Sequence, residues 1–199
     1  MPLILVPGMN RSKPGQWANK GMVNNMQDKY EVIMAGSGGQ GLIVCGIILA
    51  EAAMLEGKNV AQTQAYGIAS RGGFSKSEVV ISSSEIIYQQ VQNPDLILAL
   101  TDQAMDMYAQ NYTEIPIFYD TSLLERREGA NLHGYSFTEM ASELGHVGTA
   151  NIIALGAMAA LTSIVKVESL AEVLKQRFTG KVAEMNVKAL HKGVDLVRK

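Results

Sequence analysis

The chain holds a single cysteine, Cys45, and a single tryptophan, Trp17, in 199 residues. One thiol forms no internal disulfide and leaves no cysteine pair for zinc or an iron–sulfur cluster. A reducing, cytoplasmic setting is therefore the expectation. Charge of either sign is sparse at 18%, and the formal net charge is -2, with no basic stripe. Nucleic-acid and membrane-surface binding are therefore not expected. No apolar run reaches the length of a membrane span. The longest, Ile152 to Val165, is broken by Gly156, Thr162 and Ser163. The histidines His133, His146 and His191 are dispersed without metal spacing. Ser70, Ser75 and the serines at 82 to 84 lack the G-x-S-x-G elbow of a serine hydrolase. Neither a metal site nor a catalytic residue is expected in this chain.

Hydrophobic content of 47% suits a globular chain with a real core. The length fits one domain with a small appendage. Residues 1–29 differ from the rest: they carry Pro2, Pro7, Pro14, Trp17 and many polar residues, and read unlike a secretory signal. They are expected to be a flexible extension, or one left by the choice of start site, with a single domain over 30–199.

The periodicity predicts strands over 31–35, 59–64, 78–82, 94–101, 115–120 and 132–135. It predicts helices over 41–57, 102–112, 136–144, 149–163, 169–178 and 180–198. Gly57 is the expected stop of the first helix, and Asp102 the expected cap of the second. Residues 66–77 read as a glycine-rich loop. Alternating strands and helices predict an α/β, Rossmann-like layered fold, with a mainly parallel sheet flanked by helices and closing helices at the C-terminus. Between Gln64 and Ile87 no helix separates the short strands, so an antiparallel hairpin is expected there.

The chemistry-bearing stretch is Glu31 to Gly41, EVIMAGSGGQG, an apolar run followed by four glycines in six residues and then an apolar helix. Gly36, Gly38 and Gly41 satisfy G-x-G-x-x-G. The dinucleotide fingerprint also needs an acid at the end of the second strand to hold the ribose. That strand ends in Gln62, Thr63 and Gln64, with neither an acid nor the arginine of an NADP site. The Walker motif fails as well, for want of Lys followed by Ser or Thr. Two readings stay open: a tight strand-to-helix turn alone, or an anion site at the helix start. In the second, Ser37, Gly39 and Gln40 add to the donor surface.

Two further stretches belong with this loop, Gln64 to Gly73 (QAYGIASRGG) and Ala150 to Leu161 (ANIIALGAMAAL). Arg71, set between Ser70 and Gly72-Gly73, suits either a phosphate or carboxylate contact or a contact between subunits. Tyr66 and Phe74 suit packing or an interface, with stacking on an adenine as the sharper alternative. Asn151 opens an apolar helix and suits either helix-start hydrogen bonding or a bond to the glycine loop or a ligand. Thr101, Asp102 and Asp120 end strands at the carboxyl edge, where ligands gather in such sheets.

Together GSGGQG, RGG and ANIIALGAMAAL resemble the gamma subunit of 2-oxoacid:ferredoxin (acceptor) oxidoreductases, over roughly residues 30–192. The tail Gly180 to Gly193 looks most like the 2-oxoglutarate branch, with the pyruvate enzymes close by. The resemblance implies a subunit that is inactive alone, in a complex that performs coenzyme A-dependent oxidative decarboxylation of a 2-oxoacid. Thiamine diphosphate, magnesium and iron–sulfur clusters would sit in alpha and beta subunits or a ferredoxin-like delta subunit. Electrons would leave to ferredoxin or another low-potential acceptor. Coenzyme A contact would fall to Gly36, Ser37, Gly38, Gly39, Gln40, Gly41, Arg71 and Asn151, and interface contact to Tyr66, Gly72, Gly73 and Phe74. The rival readings are a free-standing nucleotide- or anion-binding module and an NAD(P)-dependent enzyme.

Overall fold

A computed structural model describes residues 28–67 and 73–198. Most of the expected extension, together with Arg71 and Gly72, lies outside the described residues. Lys29, placed in that extension, already belongs to the first strand.

Among the described residues six strands form one sheet: β1 (Lys29–Ser37), β2 (Asn59–Tyr66), β3 (Phe74–Ser82), β4 (Leu96–Ala99), β5 (Ile117–Asp120) and β6 (Leu132–Tyr135). Their order is β2-β3-β1-β4-β5-β6. The β1–β4, β4–β5 and β5–β6 pairs are parallel, whereas β3 runs antiparallel to both β1 and β2. The expected α/β layering is therefore present, with the hairpin at one side. The helices are α1 (Leu42–Leu55), α2 (Asp102–Ala109), α3 (Phe137–Glu143), α4 (Ala150–Thr162), α5 (Val167–Arg177) and α6 (Gly180–Val197).

Side chains alternate across the pleat and sort the core into two layers. Val32, Met34, Val79, Leu96, Leu98 and Phe118 share one core cluster with α1, α3 and α4, onto which α5 and α6 pack. Ile33, Ala35, Ile97, Ala99, Ile117 and Tyr119 face α2. α1 and α4 are apolar nearly all round and bury most of their residues against other elements, leaving Val44, Met54 and Leu55 of α1 and Leu161 of α4 exposed. α1 stops as expected: Gly57 is left-handed (φ 75°), its N–H donates to the Met54 carbonyl, and the Lys58 N–H donates to the Ala53 carbonyl. These paired bonds satisfy carbonyls the ending helix leaves free.

Two expectations need correction. The expected loop over 66–77 is strand from Phe74 onward. Ser75 and Ser77 are buried on the α1 side, and Ser77 Oγ accepts from Gln62 Nε2 at 3.0 Å. A Cβ at Gly46 of α1 would lie 2.2 Å from that hydroxyl. Serine stands there because the helix packs too close for anything larger, so a loop-like composition conceals a buried strand. The second correction concerns α2. Its N-cap is Thr101, whose Oγ1 accepts from the Ala104 N–H at 3.3 Å, while Asp102 is the acid of the first turn.

Candidate functional site

The glycine loop joins the carboxyl end of β1 to α1. Ser37, which ends β1, is held by a side chain of the loop itself. The Ser37 N–H donates to Gln40 Oε1 at 2.7 Å, and Gln40 Nε2 donates to the Leu100 carbonyl at 3.0 Å. Gln40 thus uses its amide oxygen and one amide hydrogen inside the protein, a role that its reading from sequence as a surface donor did not include. A Cβ at Gly36 would lie 2.2 Å from Gln40 Oε1, so that glycine makes room for the amide. The loop's last residue is held in the same manner. Asn151 Nδ2 donates to the Gly41 carbonyl at 3.0 Å. A Cβ at Gly41 would lie 2.3 Å from that nitrogen, and φ there is +71°, a left-handed value that favours glycine. Of the two roles open to Asn151, the bond to the loop is the one formed.

The hairpin meets the same loop. The Gly38 N–H donates to the Gly73 carbonyl at 2.9 Å, and the Gly67 N–H donates to the Phe74 carbonyl at 2.6 Å. Gly73, just before β3, is therefore fastened to the glycine loop. Phe74 is half-buried and packs into the α2-side core. Tyr66 is 62% exposed, which leaves its ring open to a partner.

Gly38 and Gly39 form the exposed crest, and Gly39 has a φ of +99° with open space where a side chain would be. Among the described residues no side chain caps the start of α1, and its first turn carries no acid. The first N–H groups of a helix have no partners inside it. Uncapped and beside a bare glycine backbone, they form a surface suited to an anion.

The same geometry disfavours a dinucleotide. Across the sheet Tyr66 pairs with Ser75, and Ser75 with Gly36. β3 thus separates the end of β2 from the glycine loop by two strand spacings, about 10 Å. An acid at the end of β2 would stand away from a nucleotide on the loop.

Other polar groups are bonded within the protein. Asp120, 1% exposed, accepts from the Ser122 N–H and Thr138 N–H at 2.9 Å each and from Thr138 Oγ1 at 2.6 Å, tying β5 to the start of α3. Glu31 accepts from the Gln92 and Asn93 N–H groups. Glu78 accepts from Lys76 Nζ at 2.6 Å and Thr63 Oγ1 at 3.2 Å. Asp102 and Asp106 pair with Arg127 at 3.1 and 2.8 Å. Burial pushes the Cys45 thiol up to about 12, so it is no thiolate nucleophile at neutral pH. Asn151 Oδ1 is buried without a hydrogen-bond partner among the described residues. There, no group of three His, Cys, Asp or Glu side chains gathers to hold a metal, and no helix is long and apolar enough to cross a membrane.

The sequence pattern missed the internal role of Gln40. The available signal was chemical: a carboxamide offers a donor and an acceptor on separate atoms, which suits a bridge between an N–H and a carbonyl.

The pyruvate ferredoxin/flavodoxin oxidoreductase family model matches residues 31–196. The 2-oxoglutarate synthase subunit KorC of Archaeoglobus fulgidus is 39% identical, over 87% of this chain and 91% of that protein. The ketoisovalerate oxidoreductase subunit VorA of Methanothermobacter marburgensis is 36% identical over 86% of this chain, though that covers only 37% of the longer relative. Among solved structures, the keto/oxoacid ferredoxin oxidoreductase gamma subunit of Geobacter sulfurreducens is similar with a TM-score of 0.73 and 36% identity, covering 85% of this chain and 98% of that one. The fold also recurs in 2-oxoglutarate:ferredoxin oxidoreductase from Magnetococcus marinus, solved with 2-oxoglutarate, coenzyme A and succinyl-CoA bound. There the TM-score is 0.76 at 23% identity, over 87% of this chain and 32% of that one. Sequence and fold thus agree over nearly the whole described chain, and the protein belongs to the pyruvate ferredoxin/flavodoxin oxidoreductase family.

Proposed function

We propose that this chain is the gamma-type subunit of a 2-oxoacid:ferredoxin oxidoreductase of the 2-oxoglutarate type, with residues 30–199 as its single domain. The observation that carries the reading is the 39% identity to a 2-oxoglutarate synthase subunit across 91% of that protein's length. The chemistry of the chain agrees. Its buried carboxylates Glu31, Glu78 and Asp120 are committed to structural bonds, and its one cysteine is buried.

The reaction is oxidative decarboxylation of a 2-oxoacid with transfer of the acyl group to coenzyme A. Thiamine diphosphate, magnesium and iron–sulfur clusters supply that chemistry from alpha and beta subunits, with or without a ferredoxin-like delta subunit. Ferredoxin or a similar low-potential carrier accepts the electrons in the cytoplasm. This chain contributes a binding surface. The Gly38–Gly39 crest and the first turn of α1 face the anionic part of coenzyme A, with Arg71 as a forked cation from the adjoining hairpin. Gly36, Gln40, Gly41 and Asn151 hold that surface in shape. Ser37 lies in its wall, and Tyr66, Gly72, Gly73 and Phe74 adjoin the partner subunits.

Purification of the tagged chain from its native cells tests the reading. It should bring down a thiamine diphosphate-dependent chain and an alpha-type chain, and the eluate should reduce a low-potential acceptor when given 2-oxoglutarate and coenzyme A. A clean monomer that turns over a substrate with NAD(P)H alone would sink it.

A further inference from the structure

Both ends of the Gln40 carboxamide are used inside the protein. Its oxygen takes the Ser37 N–H, and its nitrogen gives to the Leu100 carbonyl. Leu100 is itself fixed, since its N–H donates to the Ala35 carbonyl at 2.9 Å. The following residue, Thr101, caps α2. Gln40 thus ties Ser37, at the end of β1, to the turn between β4 and α2. The place it occupies is the one a side chain at Gly36 would fill. The other end of the loop is tied by Asn151, and only Gly38 and Gly39 between these ties are exposed.

We infer that Gln40 is a positioning residue, one that fixes the orientation of the Gly39 backbone and the start of α1 toward the anionic group of coenzyme A without touching that ligand. The inference rests on the reading of the loop as a coenzyme A contact. It replaces the direct contact that the sequence assigns to Gln40. Two properties separate a positioning role from simple support. It acts on the affinity for one substrate rather than on turnover, and it requires a donor at the amide nitrogen, not merely a side chain of that size.

The test uses the assembled complex with two variants. Gln40→Ala removes both bonds. Gln40→Glu keeps the size and the acceptor for Ser37 but sets a carboxylate oxygen against the Leu100 carbonyl. Both should raise KM for coenzyme A about five- to tenfold, the size expected for loss of part-buried side-chain hydrogen bonds, with kcat and KM for the 2-oxoacid within about twofold. In Gln40→Ala the Ser37 amide should exchange with solvent faster by about the same factor. Unchanged Ser37 exchange would overturn the inference. So would lowered stability with KM for coenzyme A unchanged, or failure of both variants to assemble. Gly39→Val separates this from the reading beneath it. If Gly39→Val raises that KM and the Gln40 variants do not, the loop reading stands and the role of Gln40 falls. If Gly39→Val leaves it unchanged, the coenzyme A reading of the loop falls first.

Discussion

Where α4 crosses α6, a Cβ on Gly156 would come within 2.1 Å of the Leu190 carbonyl oxygen, and one on Gly193 within 1.9 Å of the Ile153 carbonyl oxygen. In the glycine loop, a Cβ on Gly36 or Gly41 would meet side-chain amides, those of Gln40 and Asn151. The residue type is the same, but what it makes room for differs. At the helix crossing, glycine lets backbone meet backbone, and neither helix can withdraw without losing its core contacts. In the loop, glycine admits carboxamides that hydrogen-bond the main chain, and a side chain can swing aside. The first region concerns stability. The second concerns the shape of a binding surface, with Gly38 and Gly39 left bare above the ties.

The largest predicted effect lies at the helix crossing. Gly193→Ala should destabilise the full chain by about 3 kcal/mol, because the obstacle is backbone. Chemical denaturation measures this, and a loss below about 1 kcal/mol would remove the distinction between the two regions. A region shaped without glycine gives the next effect. Asp120→Ala strands the Thr138 and Ser122 N–H groups and should cost about 2 kcal/mol by the same measurement. In the loop, Gly41→Ala should cost about 1–2 kcal/mol, since it combines left-handed strain with displacement of Asn151. Part of that cost should vanish against an Asn151→Ala background, with a coupling of about 1 kcal/mol in a double-mutant cycle. Strict additivity would mean that the amide is not what the glycine accommodates.

The smallest effect is a pH dependence away from both regions. His133 stacks on Phe118 with ring centroids 5.0 Å apart. Burial lowers its pKa from the ordinary value. The unfolded chain therefore takes up a proton at a pH where the folded chain does not. Stability is fully present above the unfolded value of about 6.5 and declines as pH falls through it toward the lower folded value. His133→Phe should flatten this slope in denaturation midpoints measured from pH 7 to pH 5. A wild-type slope that persists in the variant would assign the dependence to other groups.

Much of this was legible in the sequence. The apolar runs ending in polar residues gave β1, β4 and β5 to within a few positions, and Gly57 marked the end of α1. The layered fold followed from alternation, and the hairpin from the missing helix between β2 and β3. What stayed hidden depends on neighbours distant in the chain. Ser75 and Ser77 resemble loop residues until their burial in β3 is seen, with Gly46 of α1 against Ser77. Gly36 and Gly41 resemble a phosphate-binding pattern until the amides of Gln40 and Asn151 are seen in their place. The absent acid at the end of β2 pointed away from a dinucleotide, and the intervening β3 gives the geometric reason.

The most direct test is reconstitution with and without this chain. Alpha and beta subunits purified separately and combined with it should oxidise 2-oxoglutarate with coenzyme A and reduce ferredoxin. The same mixture lacking this chain should lose most of that rate, and the chain alone should show none. Full coenzyme A-dependent activity without it, or NAD(P)-dependent turnover by the chain alone, would contradict the account.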